Sequence, residues 1–225
     1  MTKRSADRRR MVEFQLVGRG IRDARVLAAM RQVPREAFVA SGLADLAYED
    51  APLPIAEGQT ISQPFIVALM AEAAEIKARD RVLEVGTGSG YAAAVISRIA
   101  AKVFTIERYP ALAQGAEARL REFGYDNIAV RTGDGTLGWP EEAPFDAILV
   151  TAGGPDAPPA LKRQLAIGGR LIVPVGPGER EQRLLKLVRR GDDAFERKDL
   201  GGVLFVPLIG EQGWIESEVL ARRRR

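Results

Sequence analysis

Val82-Leu83-Glu84-Val85-Gly86-Thr87-Gly88-Ser89-Gly90 is a short apolar run carrying an acid, followed by three glycines at alternate positions. It reads as a strand, a tight turn and the start of a helix. Glycine belongs where the backbone takes positive φ or where a ligand comes within contact distance. The helix expected next, over residues 91–101, offers free N–H groups at its N-terminus. The turn therefore suits a nucleotide-like ligand; a glycine turn that binds nothing is the other reading of the same residues. Spacing narrows the choice, because the dinucleotide pattern G-x-G-x-x-G needs glycine at position 91, which is Tyr91. The pattern present is E-x-G-x-G-x-G, which argues against an NAD-dependent dehydrogenase.

Outward from this turn the periodicity alternates between strand and helix. Strands are expected at 81–85, 103–107, 127–131, 145–151 and 170–175, with helices at 91–101, 110–123 and 158–166. Continuous apolar strands separated by helices imply a mostly parallel, doubly wound α/β sheet covered on both faces. Right-handed crossovers then bring the C-terminal ends of these strands to one edge. Segments 183–188 and 202–207 are separated by Gly191-Asp192-Asp193 and a charged stretch, and read as an antiparallel C-terminal hairpin closing the sheet. Before the turn, residues 11–33 read as one helix, with Leu16, Ile21, Val26, Leu27, Met30 and Val33 on a face and Pro34 ending it. A short helical piece follows over 35–41, closing at Gly42. Pro52 and Pro54 force an extended course into a turn at Glu57-Gly58, and a helix is expected over 65–76.

The 225 residues suit a single domain over 1–225, with 11–78 as an N-terminal elaboration. Cysteine and histidine are both absent. That excludes thiol nucleophiles, disulfides, zinc sites of the Cys/His type and a histidine base; no metal is expected. The missing cysteine, the lack of a membrane-length apolar run and the lack of an apolar signal core in residues 1–20 favour the cytoplasm and no membrane partner. Net charge is +3, yet residues 1–10 carry a net +4 and Arg222 to Arg225 another +4, leaving 11–221 at −5. Segments 1–10 and 221–225 are expected to be disordered basic tails, and nucleic acid is not an expected partner.

Glu107 ends the second strand, 17 positions after Gly90, where a carboxylate can accept hydrogen bonds from a ribose diol. Gly133-Asp134-Gly135 follows the third; it could receive an adenine amino group or simply turn the chain. Ser62 either caps the helix after Gln63-Pro64 or positions a substrate. Without a histidine it is a poor nucleophile.

The glycine pattern resembles the first motif of Rossmann-like methyltransferases that bind S-adenosyl-L-methionine. A closer resemblance rests on segments standing in one order: Tyr48-Glu49-Asp50-Ala51-Pro52-Leu53-Pro54-Ile55, Gly58-Gln59-Thr60-Ile61-Ser62-Gln63-Pro64, residues 82–90, Gly133-Asp134-Gly135, Phe145-Asp146-Ala147-Ile148, Gly168-Gly169-Arg170-Leu171, Pro174-Val175-Gly176 and Phe205-Val206-Pro207-Leu208. Over about residues 15–208 the chain resembles the protein-L-isoaspartate (D-aspartate) O-methyltransferases. The Thr60-Ile61-Ser62-Gln63-Pro64 stretch is the specific element, since generic methyltransferases share only the glycine turn.

The resemblance implies methyl transfer from S-adenosyl-L-methionine to the free carboxylate of L-isoaspartyl or D-aspartyl residues in damaged proteins, with repair through a succinimide. It implies Ser62 as the active-site residue and Gln59, Thr60, Ile61 and Ser62 near the cofactor. Glu84, Gly86, Thr87, Gly88, Ser89 and Gly90 would lie at the methionine part, Glu107 at the ribose, and Asp134 and Gly135 at the adenine. Three departures stand out: Phe65 where some members carry histidine, Ala152-Gly153 where an Ala-Ala is sometimes found, and residues 209–225, which extend past the aligned part. Another carboxylate or an RNA as acceptor, or a non-enzymatic module using the basic tails, are the competing readings.

Overall fold

The structure is a computed structural model and describes residues 3–178 and 181–223. The N-terminal part is helical but is not the single helix expected over 11–33. Helix α1 (Lys3–Arg10) runs into a π-helical turn (Met11–Leu16) and a 3-10 turn (Val17–Arg19), and Gly20 ends the run at φ +101°. Helix α2 (Ala24–Gln32) starts afresh because the Asp23 carboxylate accepts from the backbone N–H groups of Arg25 and Val26. The basic segment expected to be disordered is thus helical over residues 3–10. Arg4 donates to the Ala44 carbonyl and Arg8 to that of Gln32, each at 2.7 Å, so these cations sit on the ends of helical turns, where cations are favoured.

The helical piece expected over 35–41 is two 3-10 turns, Arg35–Phe38 and Ser41–Leu46, with Gly42 inside the second. Strands β1 (Leu53–Pro54) and β2 (Thr60–Ile61) then pair antiparallel around the turn at Glu57 and Gly58, both at positive φ. Helix α3 (Pro64–Ala73) follows and stops short of the expected end, with Glu75 at φ +51° reversing the chain.

The sheet proper comprises β3 (Arg81–Val85), β4 (Lys102–Glu107), β5 (Ile128–Thr132), β6 (Phe145–Val150), β7 (Leu165–Val175), β8 (Gln182–Arg189) and β9 (Phe195–Val203). Helices α4 (Tyr91–Ser97), α5 (Pro110–Glu122) and α6 (Pro159–Arg163) connect the parallel strands, and α7 (Glu216–Arg223) comes last. Residues 221–223 of the expected C-terminal tail therefore lie in α7, and 224–225 fall outside the described residues. Spatial order is β5-β4-β3-β6-β7-β8-β9, parallel through β7 and antiparallel beyond it, as the alternation and the hairpin required.

The hairpin's second arm is not 202–207. The charged stretch is itself the edge strand β9, with one face in water, which is why it lacks an apolar signature. Residues 204–207 instead leave the sheet and run beside Gly153, whose N–H donates to the Val206 carbonyl at 2.8 Å.

Alternation along each strand divides the core. Val82 and Val103 face α2, α3 and α4, while Leu83, Val85, Phe104 and Ile106 pack with Phe145, Leu161 and Leu171 on the other face. Chain order reverses between β3 and β6, so the loops leaving β3, β4 and β6 meet at one edge, where open α/β sheets bind ligands. Among the described residues no helix is long and apolar enough to cross a membrane, and no three His, Cys, Asp or Glu side chains are grouped to hold a metal ion.

Candidate active site

The turn after β3 has Gly86, Gly88 and Gly90 at φ +99°, +54° and +88°. A side chain at Gly86 would also collide with its neighbour, since a Cβ there would stand 2.3 Å from the Thr151 hydroxyl oxygen. That hydroxyl is shared between the carbonyls of Gly86 at 2.8 Å and Val85 at 3.0 Å, so the loop leaving β6 clamps the turn leaving β3. Gly86 also donates its N–H to the Ile106 carbonyl at 2.8 Å.

Beside this turn, Glu107 is almost wholly buried at the end of β4. One carboxylate oxygen accepts the Gly88 N–H at 2.8 Å and the other the Tyr109 N–H at 3.0 Å. Each oxygen keeps acceptor capacity beyond these bonds, and Glu107 borders a cavity together with Gln59, Thr60, Gly88, Gly135, Leu208 and Ile209. Two adjacent hydroxyls suit such a carboxylate.

Glu84 is a buried acid in an otherwise apolar strand. Thr87 donates to Thr105 at 2.7 Å, and Thr105 donates to Glu84 Oε2 at 2.6 Å, but Oε1 has no partner. Burial, partly offset by the Thr105 hydrogen bond and reinforced by the Glu107 charge, pushes the Glu84 carboxyl up to about 8. The carboxyl borders a hollow shared with Thr60, Ile61, Ser62, Thr87 and Ser89. An unpartnered buried carboxyl oxygen suits a cationic amino group. A diol-accepting carboxylate and an amine-accepting one on the two sides of a glycine turn fit an amino acid joined to a nucleoside.

Asp134 does not border the cavity; Gly135 does. The Asp134 carboxylate is spent on the protein, with Oδ1 accepting from the Thr136 N–H at 2.8 Å and the Thr136 hydroxyl at 2.6 Å, and Oδ2 accepting from the Glu211 N–H at 2.8 Å. Its turn-making role is the one its hydrogen bonds show. Gly90 likewise stands outside the lining: it precedes α4 in a left-handed conformation, and a Cβ on it would stand 3.4 Å from Ala116 and Leu120 of α5.

Ser62 does not cap α3. The N-cap position is Gln63, with no capping bond from its own side chain, and the free Phe65 N–H is taken at 3.3 Å by Asp50 from a distant part of the chain. The Ser62 hydroxyl makes no hydrogen bond among the described residues. It borders both the hollow of Glu84 and a wide cleft walled by Pro52, Phe65, Gln182, Leu204 and Phe205. Thr60 and Thr151 border the same cleft as well as the cavity of Glu107. An acceptor in the cleft and a nucleoside ligand in the cavity would thus meet beside Ser62, Thr60 and Thr151.

Thr151 was legible as a sheet-edge residue once β6 was placed next to β3, yet nothing in its own sequence context marks it. Leu208 and Ile209 fall where the recognised segments end, and Arg35, described below, carries no local signal at all.

Comparison with known proteins gives the same outline. The family described as protein-L-isoaspartate(D-aspartate) O-methyltransferase matches residues 7–213. A protein-L-isoaspartate O-methyltransferase of Pelobacter propionicus is 61% identical over 91% of both chains, and one of Rhodopseudomonas palustris is 56% identical over 96% of this chain and 99% of its own. A solved protein-L-isoaspartate O-methyltransferase superposes with a TM-score of 0.84 at 31% identity, covering 96% of this chain and 69% of its own. A Plasmodium falciparum beta-aspartate methyltransferase in complex with S-adenosyl-L-homocysteine superposes with a TM-score of 0.77 at 26% identity, covering 93% and 99%.

Proposed function

The chain belongs to the protein-L-isoaspartate(D-aspartate) O-methyltransferase family, S-adenosyl-L-methionine-dependent enzymes that methylate isoaspartyl residues in protein repair, and we propose that Ser62 and the residues around the glycine turn carry that reaction here. The observation that carries this reading is the place of Ser62, whose hydroxyl is uncommitted to the protein and which borders both the hollow of Glu84 and the cleft.

Bound S-adenosyl-L-methionine supplies an activated methyl group on a cationic sulfur, a good leaving group. The acceptor carboxylate, with an ordinary pKa of about 4, is already ionised at neutral pH, so the protein need supply no base. A chain without histidine suits such chemistry. What remains for the protein is alignment and exclusion of water. Ser62 Oγ donates to one oxygen of the acceptor carboxylate and leaves the other directed at the cofactor side. Glu84 holds the amino group of the cofactor's methionine part through its unpartnered oxygen, with Thr87 and Ser89 bordering the same hollow. Glu107 holds the ribose hydroxyls, Gln59, Thr60 and Ile61 cover the cofactor, and Gly135 leaves room for the base. Asp134 supports Gly135 by holding its turn. A cytoplasmic site of action and a single catalytic domain over residues 1–225 complete the reading; the lack of cysteine supports the first and the shared core the second.

Two peptides differing only in isoaspartate or aspartate at one position test it, with labelled S-adenosyl-L-methionine as donor. The wild-type chain should place base-labile label on the isoaspartyl peptide alone, and Ser62→Ala should lower kcat about tenfold or more. Undiminished turnover by S62A would remove Ser62 from the chemistry.

A further inference from the structure

Arg35 is wholly buried, and among the described residues it is one of the largest side chains to be so. Arginine is rarely buried without an ionic partner, and among the described residues no carboxylate lies within ion-pair distance of this one. Its guanidinium donates to backbone carbonyls instead: Nε to Ala47 at 2.8 Å, Nη1 to Ser62 at 2.8 Å and Nη2 to Ala51 at 3.4 Å. The ring of Tyr91, the first residue of α4, lies 5.0 Å from its central carbon.

Burying a cation among neutral groups is costly, and an apolar side chain of similar size would serve a core at least as well. The three carbonyls share one property. They lie at the two ends and near the start of one irregular segment, residues 47–62, which carries Gln59, Thr60 and Ser62 to the active site. The regular structure of this segment is limited to the two-residue ribbon of β1 and β2 and a 3-10 turn at Ala56–Gly58, and side chains from outside it, Gln15 on the Tyr48 carbonyl and Arg19 on Asp50 among them, hold the rest. Arg35 closes its ends onto one another and onto the helical core. One of the three carbonyls belongs to Ser62 itself, whose hydroxyl is not oriented by any other group. The Ser62 Cα, from which Oγ extends, is placed by its backbone, and Arg35 holds the carbonyl of that backbone.

We propose that Arg35 is a positioning residue for methyl transfer, acting through the Ser62 carbonyl to aim the Ser62 hydroxyl at the acceptor carboxylate. The inference rests on the reading of Ser62 given above. Lysine keeps the charge but offers one tetrahedral ammonium where three carbonyls call for a planar fork, so Arg35→Lys removes the alignment more than the cation.

The test is a double-mutant cycle with R35K, S62A and the double variant, read as kcat and KM for the isoaspartyl peptide, with the thermal midpoint recorded for each. R35K should lower kcat about tenfold while KM for the peptide stays within about threefold. The two losses should not multiply: the double variant should match the kcat of S62A to within about twofold, although R35K lowers the thermal midpoint in both backgrounds. Losses that multiply, with S62A itself impaired, would overturn the role of Arg35 and leave that of Ser62 standing, as would full kcat in R35K. Full kcat in S62A would overturn both. If R35K does not fold, Arg35→Gln, which keeps an amide NH2 with two donors and no buried charge, goes through the same cycle with the same outcomes.

Discussion

Glu84 is a carboxyl buried in an otherwise apolar strand. Its folded pKa of about 8 lies above the usual 4.5, so between those values the folded protein holds a proton that the unfolded chain releases. Stability is then fully present below about pH 4.5 and falls as pH rises toward 8. Glu84→Gln removes the titration while keeping the shape. The variant should match the wild type near pH 5 and exceed it at pH 9 by on the order of a few kcal/mol, as read from denaturant midpoints at the two pH values. Parallel curves would show that Glu84 is ionised in the folded protein. Gly153 is the other residue whose identity becomes intelligible at this scale. The resemblance allows an alanine here, but a Cβ would lie 2.4 Å from the Gln182 amide nitrogen. That amide is not free to move: its nitrogen donates to the Phe205 carbonyl at 3.0 Å and its oxygen accepts the Phe205 N–H at 2.8 Å. Glycine at 153 and glutamine at 182 thus answer one another across the wall of the cleft.

Among the elements, α3 shows how a local rule can be satisfied from afar. A serine two positions before a proline at a helix start reads as a cap, and the position next to it does begin the helix. The capping carboxylate, however, belongs to Asp50, which accepts from Phe65 N–H at 3.3 Å and from Gln63 Nε2 at 2.7 Å and pairs with Arg19, the guanidinium stacked 3.6 Å above the Phe65 ring. This relieves Ser62 of a structural duty. Asp50→Ala should therefore cost about 1–2 kcal/mol, and Ser62→Ala less than about 0.5 kcal/mol, in chemical denaturation. A larger loss for S62A would return the serine to capping. The same distinction separates α1 and α2: the apolar spacing of residues 11–33 reads as one helix, whereas Gly20 and the Asp23 cap are the local stop and start that divide it.

For the molecule as a whole, the chain beyond β9 closes the cavity beside Glu107. Residues 207–209 border the cavity of Glu107, and beyond them Glu211 N–H is held by Asp134, Gln212 N–H by Thr136 at 3.1 Å, and the Trp214 indole donates to the Gly153 carbonyl at 3.0 Å. Arg108 meets Glu216 through two hydrogen bonds of 3.1 and 3.2 Å, a half-exposed pair that contributes little by itself. A chain ending after Leu208 should bind S-adenosyl-L-methionine about tenfold or more weakly in calorimetry, since it loses Ile209 from the cavity lining and the Glu211 and Gln212 N–H groups that hold Asp134 and Thr136 beside Gly135. Unchanged affinity would show that the segment is not part of the binding surface. The sequence by itself determined the parallel sheet, the glycine turn, the acid at the end of β4 and the antiparallel closing hairpin, because hydrophobic period, glycine spacing and strand-end position are properties of neighbouring residues. Only the tertiary structure decided that Asp50 caps α3, that Asp134 holds Glu211 and that Arg35 ties Ala47 to Ser62. Those bonds join groups from 12 to 77 positions apart, and which buried donor meets which carbonyl or carboxylate depends on how the elements pack.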